Sequence, residues 1–198
     1  MRFQALSPAS AREFLHLFTL VIQRTASAVP SDAGGWSTDP IRALTPEGIE
    51  EANAAAEMRR QKGLEPRLLL AAMTERAVAT VAAGASRKQV AVIKELSIST
   101  PLDASPARGE SPMDVWSRRA MRAVAQHIDD SNIECGAVVL VCMDSLEARS
   151  FIEMLQGNAV DRVRDWMRTH KFGSADAILV RGGVFEALIV SDRVRAVV

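Results

Sequence analysis

Two arginines fall where apolar strands break into polar loops, a position from which a guanidinium can grip an oxyanion. The first follows the run Leu17 to Ile22 (LFTLVI), which gives way to QRTASA and leaves Arg24 at the carboxyl end of an expected buried strand. The second, Arg76, lies in LLLAAMTERAVATVAAG, where a short apolar strand over Leu68 to Ala71 passes into a helix. Ligand sites of α/β sheets lie at such strand ends. A guanidinium there offers planar, permanently charged donors that match a tetrahedral oxyanion. Two buried guanidiniums near each other repel unless an anion compensates them. Either a bound oxyanion fills that role, or the arginines pair with carboxylates of the same site, Asp144 or Glu95, and serve only to hold loops in place.

Other reactive side chains carry less. Cys142 stands at a strand end as a cysteine-dependent phosphatase would require. The next arginine, Arg149, comes after six intervening residues instead of five, and CMDSLEAR lacks the glycines of a phosphate cradle. A buried inert thiol is the simpler reading. His16, His127 and His170 share no ligand spacing, so no metal site and no cofactor is expected. His170, in RTHKFGS before the last strands, is the one histidine placed to reach a site mouth; an exposed loop position is its plainer role.

The elements that must position these groups are readable in outline. SPASAREFLH (7–16) has the serine–proline start and apolar spacing of a leading helix. Residues 26–42, rich in Gly, Pro, Ser and Asp, form a connection at the rim, with Trp36 as a lid or a packing plug. Thr45 and Pro46 supply a cap and a first turn for an alanine-rich helix reaching about Lys62, and Gly63 ends it. A helix from Thr74 to Ala83, a third buried strand in QVAVIKEL, a helix from Met113 to Ile128, a strand GAVVLV (136–141) and a helix from Ser145 to Leu155 follow. A polar helix is expected around 161–169, where Arg162, Arg164, Arg168, His170 and Lys171 alternate with Val163, Trp166 and Met167 as on a solvated amphipathic face. ADAILVRGGVFEALIV then reads as two strands around Gly182-Gly183, a hairpin. Alternating strands and helices closed by a hairpin predict a three-layer α/β/α sandwich with a mostly parallel central sheet and a C-terminal β-hairpin.

The ordered set of strand, VIQRTASA, LTPEG opening a helix, strand and TERAVAT resembles the histidine phosphatase superfamily, the phosphoglycerate-mutase-like fold, and in particular its small SixA-like phosphohistidine-phosphatase branch. That family's first loop reads R-H-G-E-A. The resemblance sets Arg24 on the family arginine, Thr25 on the phosphate-accepting histidine, Ala26 on the glycine and Ser27 on the acidic residue. GAVVLV running into CMDSLEARSFIEML resembles the family strand ending in G-H-x-P, which sets Met143 on the second histidine. Arg76 becomes the second phosphate arginine, and Gln23, Ser27, Glu95, Cys142, Asp144 and His170 are candidates to line the pocket. Both catalytic imidazoles are replaced. A threonine hydroxyl needs a base to attack and a thioether carries no proton, so the resemblance implies a degenerate phosphatase fold with a binding or interaction role and a residual phosphate pocket. The alternative is a slow or altered phosphatase acting on phosphohistidine or small phosphate esters, with a displaced group such as Cys142 or His170 attacking. The segment 97–112 (SISTPLDASPARGESP) falls where the family carries its variable, substrate-selecting insert.

Composition bounds the rest. With 198 residues, 48% of them apolar, one domain spanning 1–198 is expected. Twenty-four basic and 24 acidic side chains cancel, which argues against nucleic acid or an anionic membrane as partner. Two cysteines, both in one strand region, fit neither a disulfide framework nor a zinc site and favour a cytoplasmic setting. FLHLFTLVI is about half the roughly 20 residues that a membrane helix needs, and it reads as a strand in preference to a signal h-region. A phosphate-bearing ligand, a protein partner or self-association through the apolar hairpin or the tryptophans are the partner classes left open.

Overall fold

The computed structural model describes residues 7–30, 41–85, 90–98, 111–157, 165 and 172–188. Six strands form one sheet: β1 (Thr19–Arg24), β2 (Leu68–Ala72), β3 (Val90–Ile93), β4 (Val138–Met143), β5 (Ala177–Arg181) and β6 (Val184–Leu188), in the spatial order β3-β2-β4-β1-β5-β6. The first four positions are parallel, β5 runs antiparallel to them beside β1, and β6 reverses again to pair antiparallel with β5. Five α-helices accompany the sheet among the described residues: α1 (Pro8–Leu15), α2 (Pro46–Gln61), α3 (Glu75–Ala82), α4 (Pro112–Asp130) and α5 (Ser145–Gln156). α1, α4 and α5 pack on one another, as do α2 and α3. Right-handed crossovers require this division: the chain moves outward from β1 to β2 to β3 with helices on one face, then returns to β4 with a helix on the other. The sandwich is therefore the one expected, mostly parallel with a terminal hairpin.

Local chemistry accounts for the element ends. α1 to α4 each begin on a hydroxyl that accepts from a backbone N–H in the first turn: Ser7, Thr45, Thr74 and Ser111, the last within a capping box with Asp114. Gly63 takes φ +68 just past α2, a backbone region where a Cβ is penalised. Gly182 and Gly183 take φ +54 and +79, both positive as a two-residue hairpin turn of matching twist demands. The core is continuous from Leu15 and Leu20–Ile22 through Leu69–Ala72 to Val139–Met143, with Trp116, Phe151 and Phe172 as its largest fully buried side chains.

Three sequence expectations change. QVAVIKEL is not a third buried strand: only Val90–Ile93 pairs, at the sheet edge with Val92 half exposed, and Lys94–Leu96 turns into a single 3-10 turn. The strand expected over 136–141 starts two residues later, because Gly136 at φ +85 is still turning, and it runs on through Cys142 and Met143. The strands that lead to Arg24 and Arg76, expected as adjacent parallel neighbours, are separated by β4, which is inserted between β1 and β2. All of the polar helix over 161–169 except Asp165, which is helical, together with Trp36, His170 and most of the 97–112 segment, lies outside the described residues.

No described helix is long and apolar enough to cross a membrane.

Candidate functional site

The carboxyl ends of β2, β4 and β1 lie side by side, and three loops leave them toward helices. Thr25, immediately after β1, is pinned to the end of β4 by its N–H, which donates to the Met143 carbonyl at 3.0 Å. The next amide, Ala26 N, donates to Thr80 Oγ1 at 3.0 Å, and that hydroxyl in turn donates to the Arg76 carbonyl at 2.6 Å. One buried threonine thus ties the loop after β1 to the first turn of α3. Ser27 completes the loop, with its N–H and hydroxyl both donating to Glu51 of α2, at 2.8 and 3.1 Å.

At the centre stands Asp144. It follows β4 directly and is the N-cap of α5, yet its side chain makes no capping bond there. The carboxylate turns instead to Arg76: Nε donates to Oδ1 at 2.7 Å and Nη2 donates to Oδ2, a two-pronged fork. The Arg76 side chain is 7% exposed and that of Asp144 20%. Thr25 Oγ1 donates to the same Oδ1 at 3.0 Å. Met143 lies fully buried behind this group and Thr25 is 7% exposed. Thr25, Met143, Arg76 and Asp144 therefore meet at one place. Of the two acids that the sequence offered to Arg76, Asp144 takes the fork; Glu95 sits on the 3-10 turn, 3.8 Å from Lys94 Nζ.

Arg24 occupies the other flank. Its Nη1 donates to the Phe172 carbonyl at 2.6 Å, and its backbone N–H donates to the Asp176 carbonyl at 2.8 Å. Burial lowers its pKa, and so does the positive charge of Arg149; Asp176, Asp144 and Glu51 act in the opposite sense. Those three carboxylates are each engaged elsewhere: Asp144 by Arg76 and Thr25, Glu51 by Ser27, and Asp176 by the Gly173 N–H at 2.7 Å.

Two pocket candidates are drawn away from this group. Gln23 is fully buried and accepts from Arg59 Nη1 on α2, so it serves the packing of α2 on the sheet. Arg59 itself is 4% exposed, and desolvation lowers its pKa to about 10. Cys142 is fully buried within β4; burial pushes its thiol far up, with the nearby Asp144 charge adding to the effect. A thiol held in its neutral form is no nucleophile, which removes Cys142 from the attacking groups that the sequence allowed.

Sequence reasoning did not single out Thr80 or Glu147, and it took Arg149 only as a mis-spaced arginine after Cys142. Thr80 is a helix-interior threonine, and only its spacing of four from Arg76 hints that its hydroxyl can reach that carbonyl. Glu147, 5% exposed on the first turn of α5, accepts from the Ile98 N–H at 3.3 Å, and its pKa is raised by desolvation and by Asp144. Among the described residues no cluster of three or more His, Cys, Asp or Glu side chains could hold a metal ion.

The arrangement sets a guanidinium fork on a carboxylate and a hydroxyl beside it. It has no imidazole among the described residues at the carboxyl edge.

No protein-family model matches the sequence, and no curated protein matches it. Solved structures match the fold over most of its length. The protein histidine phosphatase SixA complexed with tungstate aligns over 88% of this chain and 99% of its own, with TM-score 0.57 and 16% identity. A mycobacterial glucosyl-3-phosphoglycerate phosphatase aligns over 85% and 96%, with TM-score 0.59 and 16% identity. The phosphoserine phosphatase of Entamoeba histolytica in complex with 3-phosphoglyceric acid aligns over 82% and 89%, with TM-score 0.57 and 19% identity. These neighbours are histidine phosphatase superfamily members, so the fold is the one the sequence resemblance implied.

Proposed function

We propose that this chain is a non-catalytic form of the histidine phosphatase fold whose carboxyl-edge site has been kept for binding. The observation that carries this reading is the Arg76–Asp144 fork. The guanidinium that would hold a phosphoryl group in an active relative is saturated by the protein's own carboxylate, and the two flanking positions are Thr25 and Met143. Phosphoryl transfer by this fold needs a group that attacks phosphorus and a set of donors free to take up the charge that develops. Neither is available at Arg76. An aspartate placed in the fork also repels an incoming phosphate.

One contact favours a second reading, a slow phosphatase with Thr25 as the attacking group: Thr25 Oγ1 donates to Asp144 Oδ1, the geometry of a hydroxyl and its base. Against it, both oxygens of Asp144 are already engaged by the Arg76 fork. Inorganic phosphate release from aryl phosphates and from a phosphohistidine donor decides between them. The expected result is no turnover above a Thr25→Ala control. Turnover that survives repurification and vanishes in Thr25→Ala, with phosphate trapped on Thr25, would establish the second reading.

A further inference from the structure

Arg76 has its anion; the second cationic flank of the site does not. Arg149, in the second turn of α5, lies close enough to Arg24, at the end of β1, for its charge to bear on that guanidinium, and α5 packs on β1. Side chains on a helix lean toward its N-terminus, so Arg149 is directed back to the carboxyl edge from which α5 starts. Among the described residues neither arginine is in a salt bridge. The Arg24 side chain has one hydrogen bond, to the Phe172 carbonyl, and the Arg149 Nε is buried without any partner. The three carboxylates whose charge reaches Arg24 are all held by other donors. Two half-buried like charges with unused donors are unfavourable in water-poor surroundings unless an anion joins them.

We propose that Arg24 and Arg149 form an oxyanion site beside the occupied Arg76 fork, one that takes a terminal phosphoryl group from solution. The proposal rests on the reading above that the site is kept for binding. It moves the anion away from the position between Arg24 and Arg76 to the opposite flank of Arg24, with Arg149 as the second clamp. Two guanidiniums offer their N–H donors in planar forks, less the one that Arg24 gives to Phe172, the geometry that suits phosphoryl oxygens and discriminates against a singly charged spherical ion. Asp144 then marks the boundary of the site on the Arg76 side, where its carboxylate fills the fork.

Titration of the full chain with inorganic phosphate, followed by calorimetry and by broadening of the phosphorus resonance, tests this at low ionic strength. Wild type should bind, and chloride at equal ionic strength should not mimic the effect. Arg149→Met, which keeps the alkyl stem, should weaken binding by about tenfold or more, the loss of one charge-assisted contact. Asp144→Asn should bind at least as tightly as wild type. A second measurement needs no variant: phosphate should protect Arg149 and Arg24 of the wild-type chain from phenylglyoxal, read residue by residue in a mass spectrometer. Equal binding by wild type and Arg149→Met, or labelling of Arg149 at an unchanged rate in saturating phosphate, overturns the proposal. So does absence of phosphate binding by wild type. Turnover of phosphate esters would sink the non-catalytic reading and leave the Arg149 result standing, so the two failures are told apart.

Discussion

At the scale of single residues, two carboxylates at the start of α5 lie in different surroundings. Asp144 lies in the fork of Arg76, whereas Glu147, one turn along α5, is buried beside that charge and has its pKa raised above the ordinary glutamate value of 4.5. An acid whose native pKa is raised binds more protons folded than unfolded. Its contribution to stability therefore falls as pH rises from the ordinary value through the raised one. Glu147→Gln keeps an oxygen for the Ile98 N–H and removes the ionisation. It should raise the unfolding midpoint at pH 7 and flatten the stability profile above pH 4.5, as measured by urea denaturation at a series of pH values. A profile unchanged by the substitution would show that Glu147 ionises freely. The thiols make a second residue-scale test: Cys135 is exposed and Cys142 is fully buried with its thiol pushed far up. An alkylating reagent should give the native chain one adduct, on Cys135, and the urea-unfolded chain two; a native adduct on Cys142 would show that β4 opens.

At the scale of elements, the cap-and-strand signals were legible and the partners were not. Thr45-Pro46 and Gly182-Gly183 mark their structures because a cap hydroxyl and a left-handed turn depend on one or two residues alone. Asp144 and Glu95 looked equivalent as partners for Arg76, since each follows a strand. Only the pairing of β4 directly with β2 brings Asp144 to α3 and decides between them. Arg149 was read as a mis-spaced phosphate-loop arginine after Cys142, because its helical direction toward Arg24 depends on packing that sequence spacing does not carry. Gly48 shows the same limit: LTPEG was legible as a helix start, but a Cβ at Gly48 would run into the Ser27 carbonyl, which accepts the Thr45 N–H at 3.0 Å. The obstacle is backbone and cannot rotate away. Gly48→Ala should cost about 3 kcal/mol, the upper part of the range for overpacking, as a lowered urea midpoint with unchanged slope. A cost below ~0.5 kcal/mol would mean that the start of α2 is free to shift.

At the scale of the whole molecule, strand order is what gathers the site, and the alternation of elements alone did not reveal it. β4 lies between β1 and β2, so Met143 and Asp144 fall between Arg24 and Arg76, where a contiguous β1–β2 pair would have left them outside. The same order sets β5 on the free side of β1, and there the Arg24 amide donates to the Asp176 carbonyl while its side chain donates to Phe172. This has a consequence in time. A chain leaving the ribosome has made Arg24 and Thr25 early, but β1 acquires its first neighbour only when residues 138–143 have emerged and its second only with residues 177–181. Such distant closures are slow, because the intervening loop must be ordered before any contact stabilises it. Until synthesis has passed residue 143, the segment from Thr19 to Arg24 is an unpaired apolar strand with both edges open, and until residue 181 one edge stays open, the form in which nascent chains engage chaperones and one another.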